Sequence, residues 1–314
     1  MDPVIWFFLL GVLAGVMRSD LRMPKAVYEL LSMLLLLTIG LKGGVELAQQ
    51  PVGRLVPQVL AVASIGLIVP LVVFAAIRVL SSVERADAAS LAAHYGSVSV
   101  ATYAVGVSFL ATRGVPFDGQ LPLFLVVLEV PAIMVGIVLA KGMSAGSNWG
   151  AVAHEVFLGK SIVLLLGGLV IGALTGPEGI RPLEPLFFDL FKGVLALFLL
   201  EMGLIAAGQA GALRRRAVLV VVTGILTPVP AATLGIVIGH LIGLNLGGMT
   251  LLGVLAGSAS YIAAPAAIRI AVPDANPSLS LSASLGITFP FNIFVGVPLY
   301  FEIASWFAGA GAGG

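Results

Sequence analysis

The chain has no cysteine, which excludes disulfides and thiolate metal sites. Charge is scarce as well. Asp, Glu, Lys and Arg make up 10% of the 314 residues, against roughly 25% in a soluble domain. The net charge of +1 gives no reason to expect a nucleic-acid partner. There is no His-Glu-x-x-His, no phosphate loop and no paired catalytic aspartate motif. Serines are plentiful, but no His stands near a Gly-x-Ser-x-Gly turn, so nothing reads as an enzyme or calls for an organic cofactor. No polar stretch is long enough for a separate soluble domain. What fills the chain is apolar: 59% of residues are hydrophobic and the mean hydropathy is +1.13. Such a surface needs lipid around it. The length has room for about ten helices of the roughly 20 residues that a bilayer crossing requires.

Ten apolar segments follow one another: 4–17, 26–47, 55–80, 88–111, 121–143, 156–174, 186–207, 217–242, 246–271 and 279–307. The first lacks a basic n-region and is expected as a short helix rather than a cleaved signal peptide. Short connectors carry the punctuation, among them Pro273-Asp-Ala-Asn-Pro277. Alternate connectors and helix ends hold Arg18, Arg22, Lys25, Arg78, Arg85, Lys141, Lys160, Arg214, Arg215, Arg216 and Arg269. The others hold Lys42, Arg54, Arg113 and Arg181. This asymmetry makes the first set cytoplasmic and both termini extracytoplasmic, in a multi-pass protein of the inner membrane.

Landmarks recur in the same order in both halves. Gly96-Ser-Val-Ser99 returns as Gly257-Ser-Ala-Ser260, Gly66-Leu-Ile-Val-Pro70 as Gly224-Ile-Leu-Thr-Pro228, and Gly40 as Gly203. Two repeats are expected, at 1–143 and 156–314, with a cytoplasmic connector at 144–155. Five helices per repeat is odd, so the second repeat enters the membrane inverted, a plan frequent in secondary transporters.

The fourth and ninth segments carry the strongest chemical signal. Gly lets another backbone approach, Ser and Thr hydroxyls donate to an anion or accept around a cation, and Pro265 frees the carbonyl of Tyr261. Broken there, the two helices would offer N-terminal amides to an anion and carbonyls to a hard cation such as sodium. The plainer reading is ordinary small-residue helix packing. Glu129, deep in the fifth segment and two residues before Pro131, is a functional candidate because an intramembrane carboxylate is expensive. Glu201 in the seventh is a weaker one. His94 reads as an interior group, Lys42 as a side chain snorkelling to the interface, and Arg214–Arg216 as a topology anchor or a docking site for a soluble regulator.

On Ile39-Gly-Leu-Lys-Gly-Gly44, Gly96-Ser-Val-Ser-Val-Ala-Thr102, Glu129-Val-Pro131, Met202-Gly203, Ser258-Ala-Ser-Tyr-Ile-Ala-Ala-Pro265, Arg269 and Pro273-Asp-Ala-Asn-Pro-Ser278, the chain resembles the SbtA-type sodium-dependent bicarbonate transporter family over nearly its full length. The resemblance implies an all-α integral membrane protein of ten transmembrane helices in two inverted five-helix repeats. It implies a core of helices 3–5 and 8–10, with discontinuous crossing helices 4 and 9. Helices 1, 2, 6 and 7 would form a gate against which the core moves like an elevator. It further implies homotrimers, import of bicarbonate with sodium, and in some members inhibition by a cytoplasmic PII-like protein. By position, Gly96, Ser97, Ser99, Gly257, Ser258, Ser260 and Tyr261 fall at the anion site. Thr102 and Glu129 fall at the sodium site. Tyr261 and Glu129 stand where cyanobacterial members have Asp, and the connector between the halves is shorter than theirs. Two other functions stay open on these residues: a cation/proton antiporter using Glu129, and a membrane receptor that binds a solute without moving it.

Overall fold

The structure is a computed structural model that describes residues 2–49, 52–141, 149–209 and 216–311. Among the described residues every regular element is helical: α1 Pro3–Val16, α2 Lys25–Leu47, α3 Val52–Leu80, α4 Arg85–Gly96, α5 Val100–Thr112, α6 Leu121–Lys141, α7 Trp149–Leu158, α8 Lys160–Ile180, α9 Phe191–Gly208, α10 Ala217–Leu226, α11 Pro228–Leu241, α12 Leu246–Ala256, α13 Ala263–Ala271 and α14 Pro277–Gly309. Among the described residues eight rods are long and apolar enough to cross a membrane, taking α4 with α5 and α10 with α11 as one each. The first segment, 14 residues and therefore about 21 Å long, is short of the roughly 30 Å hydrocarbon core. The ninth is divided into α12 and α13. The chain is an all-α, multi-pass membrane protein.

Two kinds of packing hold it. In the first, helices pair by close backbone approach. α1 lies along α9 and α2 along α8. A Cβ on Gly203 would strike the carbonyl of Phe8, and one on Gly11 the carbonyl of Leu200. Gly44 and Gly172 oppose the carbonyls of Leu169 and Leu41 in the same way. Small residues four apart on both partners allow this contact, which replaces the hydrophobic drive that lipid does not supply. α2 also touches α9, where Tyr28 stacks on Phe198 at 5.3 Å between ring centroids.

In the second kind, α3, α4 and α6 pack together, as do α11, α12 and the C-terminal half of α14. The two groups interlock through α12 on α5 and α13 on α4. Polar side chains are buried here in hydrogen-bonded strings. Ser90 meets Ser280 at 2.8 Å, and Tyr95 meets Thr288 at 2.7 Å. Asn292 donates to the Gly257 carbonyl at 2.9 Å and accepts from the Tyr300 hydroxyl at 2.7 Å. α14 carries Pro290 and Pro298, which remove backbone donors. It absorbs them with π-type turns at Ser282–Thr288 and Asn292–Gly296.

Paired features recur across the halves. Gly96, which closes α4, faces Pro70 of α3; Gly257, just past α12, faces the carbonyl of Pro228 in α11. The Asp87 carboxylate accepts from the Asn276 amide at 2.7 Å, and the Asp118 carboxylate from the Asn245 amide at 3.0 Å. Both asparagines are N-caps, accepting from Ser278 and Gly248 amides respectively. Burial pushes the Asp118 carboxyl up from its ordinary range, while the bond from Asn245 pulls it back.

The connector differs from expectation. Residues 144–148 and the basic residues Arg214 and Arg215 lie outside the described residues. The rest of the connector is not loop: α7 begins at Trp149 and runs past Val156, where the sixth segment was expected to start. Gly159 separates it from α8. Val152 and Val156 are buried with Ile268 and Ala271 of α13, so an apolar stripe, too short to register as a span, decides this helix.

Candidate functional site: the meeting of two helix breaks

Both Gly-Ser-x-Ser sequences stop a helix. After Gly96 the chain turns extended, with Ser97 at φ −84°, ψ 177° and Ser99 at φ −111°, ψ 113°. Ser99 then caps α5. Its Oγ accepts from the Thr102 amide at 3.1 Å and from the Thr102 hydroxyl at 2.9 Å. In the ninth segment α12 ends at Ala256 and α13 starts at Ala263. The Ser260 hydroxyl accepts from the Ala264 amide at 3.2 Å. Pro265 occupies the first turn of α13, where its missing N–H costs nothing. Pro265 therefore does not interrupt a continuous helix; Tyr261 already lies in the break between α12 and α13.

The two breaks are joined directly. The Ser99 amide donates to Ser258 Oγ at 2.9 Å, and the Ser260 amide donates to the His94 carbonyl at 2.8 Å. The Ser258 hydroxyl donates to the Leu255 carbonyl at 2.8 Å. These bonds use up the polar groups that one break alone would leave bare. The Thr102 and Ala264 amides are taken by their serine caps, and the remaining first-turn amides of α5 and α13 have no intrahelical acceptor; both helix N-termini border the same cavity.

Beside the join is a small cavity lined by Val98, Ser99, Val100, Glu129, Ser161, Ser260, Tyr261, Ile262 and Ala263. Its room for water centres is about 10 Å³, enough for about one water or one bare ion. Glu129 is 2% exposed, and no cationic side chain pairs with it among the described residues. α6 runs through Pro131 without breaking, so the proline loosens the turn beside Glu129 but leaves the helix whole. The Tyr261 ring stands edge-on to Phe289 at 5.5 Å. Its hydroxyl lies beside Ser99 without the geometry of a hydrogen bond. The polar part of the lining is oxygen from Glu129, three serines and Tyr261, set among Val98, Val100, Ile262 and Ala263, and no group of three or more His, Cys, Asp or Glu side chains forms among the described residues. Such a donor set fits a hard monovalent cation.

The structure brings Ser99, Ser260, Tyr261 and Glu129 to one cavity, and Ser258 to the join behind it. Thr102 does not line the cavity; its hydroxyl is drawn back to Ser99. Ser97 is buried with its Oγ unpaired and faces elsewhere. Gly96 and Gly257 act through close packing. Ser161, near the start of α8, lines the cavity and was not anticipated, because a serine beside a helix-end lysine looks like interface. His94 is interior: its Nδ1–H donates to the Ser90 carbonyl at 2.7 Å, which leaves Nε2 buried without a partner. Glu201 sits on α9, away from this cavity, with one carboxylate oxygen unpartnered. Lys192 is not its partner, since Lys192 donates to the Thr112 hydroxyl at 3.3 Å.

An all-helical membrane protein with two broken helices joined tip to tip, and an acidic oxygen-lined pocket at the join, has the features of an ion-binding membrane carrier. The family model of the Na+-dependent bicarbonate transporter superfamily matches residues 3–305, and the chain belongs to that superfamily. A search of curated proteins returned no match.

Proposed function

We propose that the protein imports bicarbonate, or a similarly small anion, together with Na+ across the cytoplasmic membrane. The observation that carries this reading is the meeting of the two helix breaks beside Glu129. Sodium would sit in the cavity, held by the Glu129 carboxylate, the Ser99, Ser260 and Tyr261 hydroxyls, and carbonyls freed at the breaks. The anion would lie against the first-turn amides of α5 and α13, with its charge balanced by the cation next to it. One cavity of this size does not hold both ions at once, so loading would widen the join. Neither charge is affordable alone in a low-dielectric interior, and this makes the pair travel together.

The architecture proposed for this is ten helices in two inverted repeats. The exchange Asp87–Asn276 for Asn245–Asp118 supports it: Asp87 and Asn245 lie 158 residues apart, as do Asp118 and Asn276. So does the pairing of α1 with α9 and α2 with α8, which a two-fold swap of the halves preserves. The glycine-paired helices α1, α2, α8 and α9 would form the fixed gate, and the remaining bundle a core that slides as an elevator. Trimers assembled through the gate, extracytoplasmic termini and a PII-like regulator at the cytoplasmic face belong to the same proposal.

The test is uptake of ¹⁴C-bicarbonate into proteoliposomes with and without an inward Na+ gradient. Na+-stimulated accumulation is expected; bicarbonate-independent flux of Na+ alone would refute co-import. A second reading, Na+/proton exchange on the same fold, draws on the unpaired carboxyl of Glu129 in a cavity of ion size. It predicts that Na+ moves protons out of vesicles with no carbon source present.

A further inference from the structure

A second cavity lies at the end of the bundle that carries Lys42 and Arg113. α2, α5, α6 and the turn Pro185–Asp189 enclose about 160 Å³ of room for water centres, many times that at the join. Most of its wall is apolar, built from Ile39, Val107, Phe117 and Phe191. Two charges interrupt it, Lys42 and, one turn on along α2, Glu46. Tyr103 is also part of the lining. Tyr103 is four residues, or about one turn of α5, from Ser99. The roof is held in place by the Thr38 hydroxyl, which donates to the Phe187 carbonyl at 3.0 Å.

Lys42 is an exposed side chain that also lines this cavity. Its ammonium lies 5.5 Å from the Phe117 ring centroid. It forms no ion pair within 4.0 Å, the described pairs being Lys25–Glu29 and Arg181–Glu178. Glu46 has its carboxylate beside Gly119 and interacts electrostatically with Lys42 at longer range. A cation at the edge of a largely apolar cavity raises the local concentration of anions there.

We infer that this cavity is the extracytoplasmic entry port of the carrier, and that Lys42 is its anion-selecting residue, capturing a small monovalent anion before it passes Tyr103. The inference rests on the transport reading for what the anion then does, but the port itself can be tested apart from transport. Because the chain has no native cysteine, Val107→Cys places a single thiol in the cavity wall, and Phe188→Cys does so from the opposite side should the first variant fold poorly. Each is reacted in proteoliposomes with membrane-impermeant anionic (sulfonate) and cationic (trimethylammonium) methanethiosulfonates, with Lys42 intact, Lys42→Met and Lys42→Arg.

The ratio of anionic to cationic labelling rates should fall about fivefold in Lys42→Met and return in Lys42→Arg. Added bicarbonate should slow the anionic reagent only where residue 42 is cationic. In uptake assays Lys42→Met should raise KM for bicarbonate about tenfold and leave the maximal rate near its original value. A labelling ratio that ignores residue 42, or a thiol that never reacts from the extracytoplasmic side, overturns the port. A ratio that responds to Lys42 in a protein that takes up no bicarbonate upholds the port and refutes bicarbonate as the cargo.

Discussion

The glycine-paired helices and the crossing of the two breaks solve opposite problems in one lipid solvent. Where α1 meets α9 and α2 meets α8, the contact is backbone on backbone, with Gly203 under the Phe8 carbonyl and Gly44 under that of Leu169. Every peptide group there is already satisfied within its own helix, so the surfaces need only shape. At the crossing, some peptide groups are unsatisfied by their own helices; Ser258 and Ser260 bond locally at the ends of α12 and α13, and the Ser99 amide bonds across to Ser258. The first region has one close-packed arrangement and no spare donor or acceptor. The second holds its polar groups through a few replaceable hydrogen bonds, which an ion can take over. The comparison teaches that close backbone packing and exchangeable polar contacts are divided between regions, and that small residues serve both ends by different physics.

Substitutions separate the two. Gly203→Leu, which drives a side chain into the backbone of α1, should cost about 3 kcal/mol and abolish monodisperse protein in detergent. Gly193→Ala on the same helix, where nothing lies within 4 Å of an added Cβ, should behave as the parent. Equal tolerance of both changes would undo the claim of backbone contact. Ser258→Ala leaves the Ser99 amide without its acceptor in a buried place and should lower stability by about 1–3 kcal/mol. Its hallmark is a concurrent loss of Na+-dependent uptake, with partial recovery in Ser258→Thr; a stability loss with uptake untouched would make the serine a brace only. The smallest effect sharpens the symmetry. Asp87→Ala and Asp118→Ala each remove one half-buried carboxylate from an N-cap amide, and each should cost about 1 kcal/mol. Costs differing several-fold, measured by thermal unfolding in detergent, would show the two clasps are not equivalent.

Much of this was legible in the chain. Segment positions followed from hydrophobic runs, and both breaks from Gly-Ser-x-Ser, because glycine and a capping serine act through their own neighbours. Glu129 announced itself by being charged in an apolar run. The rest depends on contacts between distant residues. Nothing local says that Thr102 spends its hydroxyl on Ser99 instead of the cavity, or that Ser161 of another helix turns toward it. α7 hid in a connector because a ten-residue amphipathic helix gives too short a period to stand out. The Asp–Asn clasps did have a signal, the common spacing of 158 residues, but only once each asparagine is seen as an N-cap. Lys42 was read from its position near a helix end; its role depends on the cavity wall it joins.

The central claim is that the crossing, through Glu129, holds sodium. Thermal unfolding of purified protein in NaCl against equal choline chloride tests it, for the wild type and Glu129→Gln. A bound cation raises the midpoint by mass action, and at about 100 times Kd it adds roughly 2.7 kcal/mol. The account predicts a sodium-specific rise in the wild type and none in Glu129→Gln, whose neutral side chain preserves the packing. An undiminished sodium shift in Glu129→Gln, or no shift in the wild type, would contradict it.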